Sequence, residues 1–368
     1  MKIKYTLDKN NYEVLIKKDI SSHIIKDLEK IGSDKKILII YDEKIDGNFL
    51  KKIFQTIKIN GGFVLKVKIE GDKTKKNEKT LFNIIDILIN NNFSKKSLLI
   101  SIGGGVIGDV SALAASLYLR GMLYFHIPST MTAIVDSCVG GKTAINYRSI
   151  TNSLGNYYHA SRVYISLDLI KKLPEREFLS GIPEIIKCAL ISNNKKILKI
   201  FNHKKTEILN KNENLMAKIC YETLKTKIFF FIDDVHEKNK RLFLNFGHTF
   251  GHAIEMATDS SKKDFFRHGE AVGLGMLCEI YYTYKKKNNL YKDLEHLLSM
   301  YNLPTNLSNF KKTNAQRLQN NIYTYIFLDK KKIDQFPRYI SIKKIGKPSI
   351  KKIENDQLLN ETILQIIK

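Results

Sequence analysis

Short apolar runs alternate with helical patterns through the first half of the chain. The segment Thr80–Ile89 carries its apolar residues at helical spacing. Runs with the length and β-branched content of buried strands lie on either side of it: Ile37–Tyr41, Phe63–Ile69, Leu98–Ile102, Leu123–Ile127 and Val163–Leu167. The alternation predicts an α/β domain, Rossmann-like, with a doubly wound parallel sheet.

The pattern changes after Leu173 and Pro174. Long segments of Lys, Glu, Leu and Ile then follow with helical periodicity, and the next strand-like run is Tyr339–Ile342. The sequence therefore predicts two domains, an α/β nucleotide-binding domain over residues 1–173 and a mainly α-helical domain over residues 174–368. A length of 368 residues fits this division, because a single core rarely grows so large.

The N-terminal sequence, the length of the apolar runs and the cysteines indicate the cellular compartment. The first 18 residues mix charges with short apolar runs, unlike a signal peptide. No window approaches the roughly 18 to 20 apolar residues of a membrane span. The four cysteines, Cys138, Cys188, Cys220 and Cys278, form no CxxC pair. We expect a cytoplasmic protein with reduced thiols and no membrane partner.

The formal net charge of +24 raises the question of a nucleic-acid partner. The lysines are spread through nearly every segment, and the densest runs are Lys285–Lys287 and Lys330–Lys332. Such runs are usually solvated faces, so the composition predicts no specific nucleic-acid site. The charge does favour an anionic substrate.

A glycine turn joins a predicted strand to a predicted helix. Gly103–Asp109 reads GGGVIGD and is followed by the helical, small-residue run Val110–Leu119. Such a turn lets backbone amides approach a pyrophosphate at the helix start. The acidic residue usual about twenty positions downstream is missing, so we expect Asp42, which ends an earlier strand, to bind the ribose.

Histidines are concentrated in one part of the second half. His248 and His252 are spaced i, i+4, and His268 follows sixteen residues after His252. Glu184 and Lys187 lie near a predicted helix start. They form either an exposed ion pair or part of a site. Their apolar neighbours favour a site, because a buried carboxylate needs a cation or a metal beside it. One glutamate with two histidines is a pattern of catalytic zinc sites.

Several ordered motifs together identify a family. The chain resembles 3-dehydroquinate synthases in GGGVxGD, YxRG, DSxVGGKTAxN, LPxRExxSGxxExIK, LNxGHTxGHAxE and DKK, which stand here at Gly103–Asp109, Tyr118–Gly121, Asp136–Asn146, Leu173–Lys187, Leu244–Glu255 and Asp329–Lys331.

The resemblance implies a reaction. It is the conversion of 3-deoxy-D-arabino-heptulosonate 7-phosphate to 3-dehydroquinate and phosphate, in the shikimate pathway of aromatic amino acid biosynthesis. It also implies a homodimer that uses NAD transiently and binds Zn²⁺, with Co²⁺ able to substitute. The zinc ligands would be Glu184, His248 and His268, whereas spacing alone pairs His248 with His252.

The resemblance also implies substrate contacts. Phosphate would be bound by Lys142, Asn152, Asn245, His252 and either Lys330 or Lys331, with Arg120 reaching in from the neighbouring subunit. The carboxylate would be bound by Lys227 and Arg241. Asp136 and Lys187 would lie near the reacting hydroxyls, and Glu237 would support them.

The implied NAD contacts are the most numerous. They are Asp42, Asp72, Lys75, Gly104, Gly105, Val106, Ile107, Gly108, Asp109, Ser129, Thr130, Lys142, Thr151, Leu169 and Lys172. Departures from the family pattern include two near these contacts. Thr151 stands where the family has a lysine. The family's GExxK becomes Gly71–Lys75, with either Lys75 or Lys76 as the counterpart of its lysine.

Two competing enzyme classes share this chemistry. One is another sugar phosphate cyclase, and the other is a zinc-dependent polyol dehydrogenase. Arg241, Lys227 and His252 favour a substrate that bears both a carboxylate and a phosphate.

Overall fold

The computed structural model describes residues 1–30, 36–60, 62–148, 150–259, 265–308, 310, 314–328, 332–333 and 335–368. The chain forms two compact units. The first contains residues 1–174 and 211–236, and the second contains residues 175–210 and 237–368.

The helices and strands follow in chain order. Up to residue 174 they are β1 (Lys2–Leu7), β2 (Asn10–Lys17), α1 (Ser21–Leu28), β3 (Lys36–Asp42), α2 (Gly47–Asn60), β4 (Phe63–Ile69), α3 (Glu78–Asn90), β5 (Leu98–Gly103), α4 (Gly105–Leu117), β6 (Leu123–Pro128), β7 (Lys142–Tyr147), β8 (Ile150–Tyr157), β9 (Arg162–Ser166) and α5 (Leu167–Lys172). Beyond it they are α6 (Glu175–Leu179), α7 (Ile182–Ser192), α8 (Lys195–His203), α9 (Lys205–Leu209), α10 (Glu213–Phe231), α11 (His248–Thr258), α12 (His268–Tyr284), α13 (Asn289–Met300), α14 (Ala315–Leu328), β10 (Lys332–Ile333), β11 (Phe336–Ile342), β12 (Pro348–Lys352) and α15 (Asp356–Ile367).

A seven-stranded sheet forms the centre of the first unit, in the order β1-β2-β9-β6-β5-β3-β4. Every neighbouring pair is parallel except β1 with β2. The five predicted strands correspond to β3, β4, β5, β6 and β9, which confirms the predicted fold class. In β5 every residue is buried, as expected for a central parallel strand with both faces covered.

Four strands and one helix of the first unit differ from the predictions. The strands β1 and β2 and the hairpin β7–β8 were not predicted. The helix predicted at Val110–Leu119 is α4, which starts at Gly105 and ends at Leu117. It cannot continue further because Leu119 and Arg120 adopt left-handed backbone conformations, with φ of 49° and 63°.

The segment 211–236 also differs from the predicted domain division. It was assigned to the helical domain but belongs to the first unit. The reason is packing, since α10 lies against β1, β2 and α5. Lys211 contributes as well, because its Nζ donates to the carbonyl oxygen of Leu173 at 2.5 Å.

The second unit is mainly helical, with a small antiparallel sheet in the order β10-β11-β12. The predicted strand Tyr339–Ile342 is the second part of β11. The core of the second unit is built largely from α11, α12, α14 and α15, and includes the fully buried Phe250, Leu274 and Ile363. Across the described residues, no helix is long and apolar enough to cross a membrane.

Candidate active site

The glycine turn of the first unit connects β5 directly to α4. The amide of Ser129 donates to the carbonyl oxygen of Gly103 at 2.9 Å, which fixes the start of the turn. A Cβ on Gly104 would lie 2.9 Å from Cγ2 of Thr130, so a larger residue would not fit. The predicted NAD contacts Gly104, Gly105, Val106, Ile107 and Gly108 therefore form the turn and the first residues of α4, where amide groups can bind an anion.

An ion pair closes one side of this turn. The Lys76 ammonium lies 2.5 Å from Oδ2 of Asp109 and donates to Oδ1 of Asn152, also at 2.5 Å. Lys75 is exposed on the short 3₁₀ helix Lys73–Lys75. Of the two candidate lysines, Lys76 is the one in contact with Asp109.

Two predicted cofactor contacts lie at neighbouring loops after β3 and β4. Asp42 is buried, and its Oδ1 accepts from the amide of Lys44 at 3.0 Å. Gly71 packs against it so closely that a Cβ there would lie 2.1 Å from Oδ2 of Asp42. Asp72 caps the 3₁₀ helix, because its side chain accepts from the amide of Thr74 at 2.8 Å.

The remaining predicted NAD contacts have varied surroundings. Thr151 is exposed on β8, and Lys172 is paired with Asp46 at 2.6 Å. Leu169 packs in the core beside the sheet. Their contact with a cofactor stays a prediction.

Asp136 and Lys227 are brought together in the first unit. Asp136 lies in a short π-helix, Ala133–Ser137, and Lys227 lies in α10. The Lys227 ammonium donates to Oδ1 of Asp136 at 2.7 Å and also to the Asp136 carbonyl oxygen. A carboxylate and an ammonium predicted to contact the substrate thus form one pair.

Lys142 and Arg120 lie at exposed positions of the first unit. Lys142 begins β7. Arg120 follows Leu119 in the left-handed segment, which is anchored by the Tyr118 hydroxyl donating to the Phe93 carbonyl oxygen at 2.6 Å.

Three histidines and one glutamate meet in the second unit. One ring nitrogen from each of His248, His252 and His268 lies within 4.8 Å of the others. Oε1 of Glu184 is 3.6 Å from Nε2 of His248 and 3.4 Å from Nε2 of His268. The cluster combines α7, α11 and α12, so the helix predicted to hold the i, i+4 pair is present.

Glu184 is fully buried, and its Oε2 forms an ion pair with the Lys187 ammonium, while its Oε1 faces the two imidazoles. Burial opposes its ionisation, but the adjacent Lys187 ammonium and His268 lower the pKa of Glu184 to about 2. A buried anionic oxygen beside two imidazoles suits a divalent cation, which resolves the earlier choice against an exposed ion pair. The donor set therefore fits the implied zinc.

Glu255 completes this cluster and was not predicted as a site residue. Its Oε2 lies 3.1 Å from Nδ1 of His268. A carboxylate on the second ring nitrogen fixes the tautomer and leaves Nε2 for a metal. Burial disfavours the imidazolium, but Glu184 and Glu255 outweigh it and raise the pKa of His268. The signal in the sequence was its place seven residues after His248, on the same face of the helix.

Close helix packing holds the ligands in place. A Cβ on Gly275 of α12 would lie 1.9 Å from the carbonyl oxygen of Gly247, just before α11. Arg176 of α6 binds Glu270 of α12 through two nitrogens, at 2.9 and 2.8 Å. This bidentate pair fixes the start of α12, which carries His268.

The other predicted substrate contacts of the second unit lie just before α11. Arg241 is buried in the 3₁₀ helix Lys240–Asn245. Nδ2 of Asn245 donates to Oε1 of Glu237 at 2.5 Å. Lys330 and Lys331 lie outside the described residues.

Comparison with known sequences identifies the family. A family model for the N-terminal part of 3-dehydroquinate synthases matches residues 66–180, and one for the C-terminal part matches residues 181–332. The chain belongs to the 3-dehydroquinate synthase family. A curated 3-dehydroquinate synthase from Prochlorococcus marinus strain MIT 9215 is 35% identical to it over 352 residues, which is 94% of each chain. The predicted membership is confirmed, and with it the assignment to a family of phosphate-eliminating enzymes.

Solved structures agree with this fold. A 2-deoxy-scyllo-inosose synthase, in complex with carbaglucose-6-phosphate, NAD⁺ and Co²⁺, matches with a TM-score of 0.84 at 20% identity over the whole of both chains. A 2-epi-5-epi-valiolone synthase from Streptomyces hygroscopicus, with NAD⁺ and Zn²⁺ bound, matches with a TM-score of 0.83 at 19% identity over 98% of both chains. At these identities the likeness establishes the fold.

Proposed function

We propose that the protein is a 3-dehydroquinate synthase that converts 3-deoxy-D-arabino-heptulosonate 7-phosphate to 3-dehydroquinate and phosphate. The observation that carries the proposal is the buried Glu184 carboxylate between His248 and His268, in a chain of this family. The cofactors are NAD and Zn²⁺, and Co²⁺ replaces Zn²⁺.

Each cofactor has a set of residues suited to it. The glycine turn and Asp42 bind NAD, and Glu184, His248 and His268 bind zinc. When bound, NAD accepts a hydride and later returns it, while zinc supplies Lewis acidity to the substrate hydroxyls. The protein's own groups bind the substrate, orient it and hold its protons.

The resemblance assigns cations, amides and a histidine to the substrate anions. Lys142, Asn152, Asn245 and His252 are the proposed contacts of the phosphate. Lys227 and Arg241 bind the carboxylate. Because both cations are largely buried, their interaction with a carboxylate is little screened by solvent.

Two ion pairs position the groups proposed to lie near the reacting hydroxyls. Oδ1 of Asp136 accepts from the Lys227 ammonium. The Lys187 ammonium lies against Oε2 of Glu184, where it can also donate to a substrate oxygen. Glu237 orients Asn245 through the 2.5 Å hydrogen bond.

We also propose a homodimer built on the first unit. The far end of α4 and one face of α3 leave Leu117, Leu119 and Ile89 half exposed. Together with Ile85 and Phe93 they line an apolar groove of about 580 Å³. A contiguous apolar surface of this kind is typical of an interface. A second copy covers it and receives Arg120, which follows Leu119 directly.

Mixed dimers test the shared site. Two inactive variants, Arg120→Ala and Lys142→Ala, should regain part of the activity when their subunits exchange, because one site of the mixed dimer is then intact. Subunit exchange demonstrated by mass spectrometry without any return of activity would exclude the role of Arg120 across the dimer.

Substrate selectivity separates the proposed reaction from its two rivals. The acidic heptulosonate phosphate should release phosphate, whereas a sugar phosphate without a carboxylate, such as glucose 6-phosphate, should not. Turnover of the neutral sugar phosphate would indicate another sugar phosphate cyclase. Oxidation of glycerol with accumulating NADH would indicate a polyol dehydrogenase.

A further inference from the structure

The Lys76 side chain joins two segments that are distant in sequence. Its Nζ lies 2.5 Å from Oδ2 of Asp109 in α4 and 2.5 Å from Oδ1 of Asn152 in β8. Only 12% of its side chain is exposed. A shielded ammonium between a carboxylate and an amide oxygen forms stronger hydrogen bonds than an exposed one.

The backbone around Lys76 holds the same two segments. The amide of Asn146, in β7, donates to the carbonyl oxygen of Lys76 at 2.8 Å. The side chain of Asn146 in turn accepts from the amide of Asn152 at 3.0 Å. Residues 76, 146 and 152 therefore form one connected set near the turn of the β7–β8 hairpin.

Asn152 depends on this support. It has a left-handed backbone conformation, with φ of 50°, inside an otherwise extended and largely exposed strand. A residue in this conformation persists when its surroundings hold it there. The residues of this strand are largely exposed. Lys76 holds the side chain of Asn152, and Asn146 holds its backbone amide.

Asp109 depends on Lys76 in a different way. Burial raises the pKa of the Asp109 carboxyl, and the charge of Lys76 opposes that change. Without the ammonium, the carboxylate next to the glycine turn would lose its main counter-charge.

We infer that Lys76 is a positioning residue that couples the glycine turn to the hairpin, so that one ammonium sets both Asp109 and Asn152. This inference rests on the proposed roles of Asp109 at NAD and of Asn152 at the substrate phosphate. Lys76 itself acts through these two residues.

Lys79 offers a matched control. It is three positions away and carries the same charge, but it is exposed at the start of α3 and belongs to no proposed site. Lys79→Met and Lys76→Met change the net charge equally, so any difference between them reports the contacts and not the charge.

NAD binding to the zinc-loaded, full-length protein is measured by titration calorimetry for both variants. Lys76→Met should weaken NAD binding about tenfold, as expected for a shielded charged hydrogen bond, and Lys79→Met should change it less than twofold. Lys76→Arg, which keeps the charge, should retain most of the affinity. Lys76→Gln keeps a neutral donor and replaces the Met variant if the latter does not fold.

Hydrogen exchange provides a readout that does not depend on activity. The amide of Asn152 should exchange at least severalfold faster in Lys76→Met than in Lys79→Met. The substrate KM should rise, with a smaller change in kcat. Equal NAD affinity and equal exchange in the two variants would overturn the inference. If the NAD affinity and the amide exchange of the variants both change as expected while the wild type releases no phosphate, the inference stands and the proposed function fails.

Discussion

The Oε2 atom of Glu255 lies 3.1 Å from Nδ1 of His268, and the two residues are on successive helices of the second unit. This contact turns Nε2 of His268 towards the Glu184 carboxylate, 3.4 Å away. The imidazole is thus held between two carboxylates, one on each ring nitrogen.

Glu255→Gln should weaken zinc binding without removing a ligand. Loss of a carboxylate behind a ligating histidine costs roughly 10- to 100-fold in metal affinity. Competition against a fluorescent chelator measures the affinity. Glu295→Gln, at a surface ion pair with Lys287, is the matched control. Equal affinity in both variants would show that Glu255 does not orient His268.

His248 and His252 should respond differently to substitution. His248→Ala should lose most bound zinc, because we propose its ring as a zinc ligand together with Glu184 and His268. His252→Ala should keep its zinc and lose turnover, since we propose that His252 contacts the phosphate. Metal content after dialysis, measured by elemental analysis, decides between the two ligand sets. Comparable zinc loss in both variants would favour the three-histidine set that lies within 4.8 Å.

Gly275→Ala should disturb the metal cluster through helix packing. Its Cβ would lie 1.9 Å from the carbonyl oxygen of Gly247, so α11 and α12 must separate. Overpacking of this kind costs about 3 kcal/mol or more in free energy of unfolding. Gly273→Ala is the control, because the nearest atom to its Cβ is 3.4 Å away in a Leu298 side chain. The unfolding temperature and the zinc affinity should fall in Gly275→Ala and stay unchanged in Gly273→Ala.

His126 should make the first unit less stable in acid. Burial lowers the pKa of His126 from 6.5 to about 4, while Nδ1 stays 2.7 Å from the Ser101 hydroxyl. Between these values the unfolded chain binds a proton that the folded chain does not. The free energy of unfolding should therefore fall by about 3 kcal/mol from pH 6.5 to pH 4, at roughly 1.36 kcal/mol per unit.

The variant His126→Gln isolates this effect. It keeps a neutral hydrogen-bonding group and cannot titrate, so its stability should lack this part of the pH dependence. Urea unfolding of both proteins at several pH values provides the comparison. Parallel stability curves for the two proteins would contradict the assigned shift.

The elements predicted correctly from the sequence are mostly the buried ones. The five predicted strands are short apolar runs, and in β5 every residue is buried. The hairpin strand β8 escaped prediction because nearly all of its residues are exposed, which leaves no apolar pattern to read. The location of α10 in the first unit could not be read either, because helical periodicity does not say which core a helix joins.

Residue types and spacing were enough to propose a histidine metal site. They did not determine which side chains lie close together in the fold. Glu184 and His268 are far apart in sequence, so spacing alone paired His248 with His252, and the family resemblance supplied the rest. Spacing also left Lys75 and Lys76 as equal candidates. In the structure Lys76, just after the 3₁₀ helix, pairs with Asp109, whereas Lys75 is exposed.

The most direct test of the proposed function follows phosphate and NADH together. Purified protein is incubated with 3-deoxy-D-arabino-heptulosonate 7-phosphate, catalytic NAD and Zn²⁺, with a chelator-treated sample as control. We expect many equivalents of phosphate and of 3-dehydroquinate per NAD, no accumulation of NADH, and loss of turnover on chelation that Zn²⁺ or Co²⁺ restores. Absence of phosphate release from metal-loaded protein, or NADH accumulating in step with product, would contradict the proposed function.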